Sequence, residues 1–94
     1  MPTSASALRV EPAVRDLDLA PTDNVRLANL CGQLDQHLRQ IERRLGIEIS
    51  NRGASFRLVG DAPGVTAGEL VLRALYATTE HEVLTPETIH LHLQ

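Results

Sequence analysis

Polar and apolar residues alternate over residues 15–19 (RDLDL), which puts Leu17 and Leu19 on one face and predicts a short strand. Pro21, Thr22 and Asp23 then supply a stop and a helix N-cap, so a short helix is expected from Asn24 to Cys31. Its inward residues are Leu27, Leu30 and Cys31, and Gly32 ends it. Leu34, Leu38, Ile41 and Leu45 follow at spacings of four, three and four, one apolar stripe that predicts an amphipathic helix over residues 33–45. Arg39, Glu42, Arg43 and Arg44 fill its outer faces, and Gly46 closes it as a left-handed C-cap. Residues 47–50 (IEIS) alternate again as a strand, Asn51, Arg52 and Gly53 form a turn, and residues 55–59 (SFRLV) return as the hairpin partner. After a loop over residues 60–65, Thr66 and Glu69 stand at capping-box spacing. They predict a helix running to Thr79 with Leu70, Val71, Ala74 and Leu75 inward. Thr85, Pro86 and Glu87 give an N-cap with proline at the first helical position, opening a last short helix to Leu93.

Residues 1–13 are rich in Ser, Ala and Pro without periodicity and are expected to form a mobile tail, leaving residues 14–94 as one domain. The opening residues carry neither a basic start nor an apolar stretch, and no apolar run approaches the length of a membrane span. A cytoplasmic location without membrane contact is therefore expected. Ile89 and Leu93 stand one turn apart with nothing after them, so the chain is expected to stop at a domain boundary inside a longer protein.

Composition narrows the chemistry mainly by what it lacks. There is no Trp, one Tyr and one Phe, which disfavours a surface that stacks bases on aromatic rings. Every one of the nine basic residues is Arg, so the lysine of a phosphate-binding P-loop is missing together with its glycine-rich string. The net charge of −3 opposes broad attraction to nucleic acid, so any such surface must come from a local Arg cluster. Cys31 stands alone, which excludes a disulfide framework and a zinc set, and it is expected to be a small buried apolar residue. His90 and His92 are two apart and face different sides of a helix, while His37 and His81 are isolated, so no metal site is expected. Neither these histidines nor Cys31 form a catalytic pairing, so catalysis within this chain is not expected.

The order strand, helix, helix, strand, strand, helix is that of a KH domain. It predicts an α+β KH-like fold: a three-stranded sheet with helices packed on one face, plus a short C-terminal helix. The wording is more specific than the order. DNVRLANLCGQLDQHLRQIERRLGIEISNRG, FRLVG, LRALY and LTPETIHLHLQ resemble the N-terminal segment of PhoH-like proteins from Arg15 to Gln94. That resemblance implies a KH-like domain preceding a bacterial, cytoplasmic P-loop ATPase linked to phosphate starvation and RNA metabolism. ATP and magnesium would then belong only to the P-loop domain, which this chain lacks. The implied partners are that ATPase domain, single-stranded RNA, and further copies of the whole protein. An interaction module that docks onto the ATPase or mediates oligomerisation is the alternative role.

A KH domain grips nucleic acid with a GxxG loop between two helices, where glycines let the sugar-phosphate backbone approach. The matching string here is Gly32, Gln33, Leu34 and Asp35, which departs at its last position. A carboxylate about 4 Å from a phosphate repels it by roughly 4 kcal/mol at a protein surface. Placed in the first turn of a helix, Asp35 would instead suit the helix dipole, and replacing it by glycine would then cost stability. Both roles are open from the residues alone. Arg39 and Arg43 are four apart on one helical face, and with Arg52 in the hairpin turn they complete the candidate nucleic-acid set: Gly32, Gln33, Leu34, Arg39, Arg43 and Arg52.

Overall fold

The computed structural model describes residues 12–94; the tail expected over residues 1–13 lies, up to residue 11, outside the described residues. Ala13 already belongs to a strand, so the domain begins earlier than the sequence pattern places it. Strands β1 (Ala13–Asp18), β2 (Glu48–Arg52) and β3 (Ser55–Gly60) form one sheet in the order β1-β3-β2, with both pairings antiparallel. Leu17 opposes Phe56 and Ile49 opposes Leu58 in register, which gathers the inward side chains of all three strands on one face. The other face carries the Asp16–Arg57 ion pair and the Ser55 hydroxyl on Asp18.

The helices are α1 (Asn24–Cys31), α2 (Gln36–Leu45), α3 (Ala62–Thr78) and α4 (Pro86–His92); α2 and α3 pack on the sheet, and α1 and α4 pack against those two helices. This is the KH-like βααββα arrangement with one further C-terminal helix. Phe56, Leu58, Leu30, Leu38, Ile41, Leu72, Leu75, Val65 and Ile89 are completely enclosed between sheet and helices. Burying a side chain of this size stabilises by roughly 1.5–3 kcal/mol, so these residues dominate the fold energy. Among the described residues, no helix is long and apolar enough to cross a membrane.

The helix starts differ from expectation in two places. The segment over residues 60–65, read as a loop, holds the first turn of α3. Asp61 is the N-cap, accepting from the Gly64 amide at 2.7 Å, and Pro63 fits the first turn because no partner awaits its missing N–H. Thr66 and Glu69 are therefore interior helical residues rather than a capping box. The buried stripe of α3 is Val65, Gly68, Leu72, Leu75 and Tyr76; Ala74 faces outward and Leu70 is 66% exposed. Gly68 belongs to that stripe because a Cβ there would stand 2.7 Å from Ile47 Cδ1 and 3.2 Å from Leu58 Cδ1.

The second difference is at α2. Residues 33–35 form a separate 3₁₀ turn and the α-helix begins only at Gln36. The buried stripe consequently runs through His37, Leu38 and Ile41, and Leu34 leaves the core altogether. Strand β2 extends through Asn51 and Arg52, which the sequence pattern assigns to the turn.

Candidate nucleic-acid interface

The junction between α1 and α2 is set by a glycine and a histidine. Gly32 adopts φ 80°, which favours glycine, and its amide donates to Ala28 O at 3.0 Å to close α1. A Cβ on Gly32 would lie 2.7 Å from Cγ of His37, whose ring fills the space that glycine leaves. His37 is 3% exposed, and its Nδ1 stands 3.1 Å from Asn29 O and 3.2 Å from Leu30 O. Carbonyls only accept, so Nδ1 carries the proton and donates to the C-terminus of α1. In the neutral ring Nε2 is then an acceptor, and it is buried without a partner. The histidine read as isolated in the sequence is thus the post on which the junction turns.

Beyond that post the chain makes two successive left-handed residues, Leu34 (φ 55°, ψ 34°) and Asp35 (φ 58°, ψ 27°). The Asp35 amide donates to Gly32 O at 3.1 Å, closing the turn. A leucine held this way costs about 1–2 kcal/mol relative to its ordinary conformations. Leu34 is also 95% exposed, so packing does not repay that cost. Strain and exposure thus coincide at the tip of one loop. Asp35 does not occupy a helical first turn as expected: it precedes α2 in a left-handed conformation and its side chain caps nothing.

The α2 face next to this loop is only partly available. The Arg39 guanidinium lies 3.0 Å from Glu42 and donates to Ile49 O at 3.3 Å. Glu42 in turn accepts from the Ile49 amide at 2.7 Å. Arg39, expected as an open phosphate contact, is therefore engaged with the outer edge of β2. Arg43 and Arg44 are exposed and make no ion pair among the described residues. Arg52 is not brought alongside Arg39 and Arg43. Since Ile49 points inward, the two-residue pleat sends Ser50 and Arg52 to the opposite face. There Arg52 lines a shallow hollow with Asp16, Asp18 and Arg57. The cluster that the structure does assemble is Gly32, Gln33, Leu34 and Asp35, followed by Arg39, Arg43 and the edge of β2.

Cys31, at the base of the loop, is buried and its thiol is pushed up to about 11. Burial is the main cause; the nearby Asp35 charge adds to it and Arg39 opposes it. At neutral pH it remains a protonated thiol, which is a poor nucleophile. Among the described residues no group of three His, Cys, Asp or Glu side chains could hold a metal ion. His92 bonds back to Thr88 O and His90 meets Gln94 within the C-terminal helix region.

Sequence reasoning missed His37, Glu42 and the Ile49 edge. The i,i+3 spacing of Arg39 and Glu42 signals their pairing. Their joint return onto Ile49 needs the geometry of the Gly46 turn, which no local pattern carries.

Solved structures share this architecture. A protein of unknown function from Aeropyrum pernix superposes with a TM-score of 0.71 at 18% identity, over 92% of this chain and 47% of its own. Dim2p from Pyrococcus horikoshii superposes with a TM-score of 0.70 at 15% identity, over 94% of this chain and 51% of its own. The chain spans about half the length of each. No protein-family profile matches it. At these identities the likeness is one of fold.

Proposed function

We propose that this chain is a non-catalytic KH-like module that makes weak contact with single-stranded RNA through its α1–α2 loop and the outer face of α2. In the same reading it is the N-terminal domain of a PhoH-like ATPase, whose P-loop domain would be its partner in the chain and would hold ATP and magnesium. The observation that carries the RNA reading is the loop itself. Gly32, Leu34 and Asp35 are held at positive φ at the site where a KH fold meets a nucleic-acid backbone, and Leu34 projects from it fully exposed. Arg43, exposed on α2 one turn beyond Arg39, supplies positive charge two turns along the helix from the loop.

The contact is dominated by phosphate. The chain has no tryptophan, its one Phe is buried in the core, and its one Tyr is buried beneath the Arg26 guanidinium. That leaves no aromatic platform for bases. Resemblance to PhoH-like sequences and the KH-like architecture support the same assignment. A docking role is favoured by one separate observation: Leu34 at the loop tip is apolar, and an exposed leucine suits a protein surface better than a phosphate.

A titration of the chain with short oligo(U) at several low salt concentrations separates these roles. RNA contact predicts weak binding that falls linearly with log salt, and Arg43→Ala should lower the slope by about 0.7. Absence of binding at the lowest salt would leave the docking role.

A further inference from the structure

We infer that Glu42 is a built-in negative determinant of RNA contact, holding Arg39 away from phosphate and closing the strand edge beside the loop. The inference rests on the RNA reading above and deepens it. Strand β2 is an edge strand, paired only with β3, so every second residue turns its amide and carbonyl outward. Ile49 is such a residue, and both of its outward groups are already taken. Its N–H donates to Glu42 Oε2 at 2.7 Å and its C=O accepts from Arg39 at 3.3 Å. The remaining Glu42 oxygen holds the same guanidinium at 3.0 Å.

Three groups thus form a closed ring of hydrogen bonds between α2 and β2. The consequences for a strand of RNA laid along α2 are specific. Arg39 offers no free positive charge, since a carboxylate sits on it. A base turned toward β2 meets an Ile49 amide already donated to Glu42 and a carbonyl already held by Arg39, so the edge has no free donor there with which to read it. The ring accounts for contact that is both weak and indifferent to sequence, from one side chain.

The full chain, Glu42→Ala, Glu42→Gln and Arg43→Ala should be titrated with oligo(U), oligo(A) and oligo(C) at low salt, with amide exchange followed on the free proteins. Removing Glu42 should speed exchange at the Ile49 amide and raise RNA affinity about tenfold. The salt slope should steepen by about 0.7 as Arg39 gains a phosphate. The three homopolymers should also become distinguishable. Glu42→Gln keeps an amide oxygen for the Ile49 N–H but releases Arg39, so it should steepen the slope without that discrimination, and it carries the test if Glu42→Ala fails to fold. If Arg43→Ala weakens binding while both Glu42 variants match the native chain, the RNA reading stands and the role of Glu42 falls. If the Glu42 variants bind and the native chain does not, Glu42 is a complete block and native RNA contact falls. Binding by none of the proteins overturns both. Self-association of Glu42→Ala with unchanged RNA affinity would make the ring only a guard against strand pairing.

Discussion

At the scale of single residues, the conformation of Asp35 reverses an expectation drawn from its neighbours. A negative residue near the start of an apolar stripe reads as a helical first turn, where glycine would be costly. In the fold Asp35 sits at φ 58° with no capping bond. Asp35→Gly therefore removes backbone strain of about 1 kcal/mol and forfeits a dipole interaction of about 0.3–1 kcal/mol. Its melting temperature should match or slightly exceed that of the native chain, whereas Asp35→Ala, which keeps the strain and loses the charge, should melt lower. If glycine melts well below alanine, the left-handed assignment is wrong. Gly32→Ala should be worse than either. It meets both an unfavourable φ and the His37 ring, and a loss of about 2 kcal/mol or more is expected in denaturant unfolding. Glycine positions 32 and 46 were legible as breaks in the apolar pattern. The burial of His37 was not, because its reason is a cavity made by a glycine five residues earlier.

At the scale of elements, the C-terminal helix was the most legible and the start of α3 the least. Thr85 caps α4, accepting from the Thr88 amide at 3.2 Å, and Pro86 occupies the first turn, as the local residues specify. The residues opening α3 (Asp61, Ala62, Pro63 and Gly64) have the composition of a loop, yet proline and glycine are tolerated in a first turn whose amides lack helical partners. Element order was legible because each strand and helix carries its own period. The phase of α3 was not, because its buried face includes Gly68, whose place is decided by Ile47 and Leu58 from other elements.

Helix α4 is an integral part of the fold, since Leu84, Ile89 and Leu93 around it join the common core. Ile89→Ala should destabilise by about 2–5 kcal/mol in chemical denaturation, and a near-zero change would mean that α4 is a loose appendage. Strand β1 is tied to α3 through Glu69, which accepts from both Arg15 and Arg73. The Arg15 hydrogen bond, followed by that of Arg73, holds this carboxyl below the usual glutamate range. A depressed folded-state value makes the contribution present above the unfolded glutamate pKa and lost as pH falls through the lowered one. The stability gap between the native chain and Glu69→Gln should therefore close on acidification from neutral pH. A gap that is constant or widens with acid would remove the pair from the account.

At the scale of the whole molecule, the proposed RNA contact falls on the loop and α2 side rather than on the open sheet face, in a chain of net charge −3. The hollow on the open face holds Arg52 and Arg57 beside Asp16 and Asp18, with Arg57 lying 2.8 Å from Asp16, so its acids offset its arginines. With no P-loop string in the chain, calorimetry with Mg-ATP should show no saturable heat; stoichiometric binding would require a nucleotide site of another kind. The central claim, that the loop and α2 face is where this KH-like domain meets RNA, is tested most directly by residue-resolved NMR during an oligo(U) titration at low salt. The account predicts amide shifts concentrated at Gly32, Gln33, Leu34, Asp35, Arg39 and Arg43, reversed by added salt, with Arg52 and Arg57 unmoved. Shifts centred on Arg52, Arg57 and the open sheet face, or no shifts at saturating RNA, would contradict it.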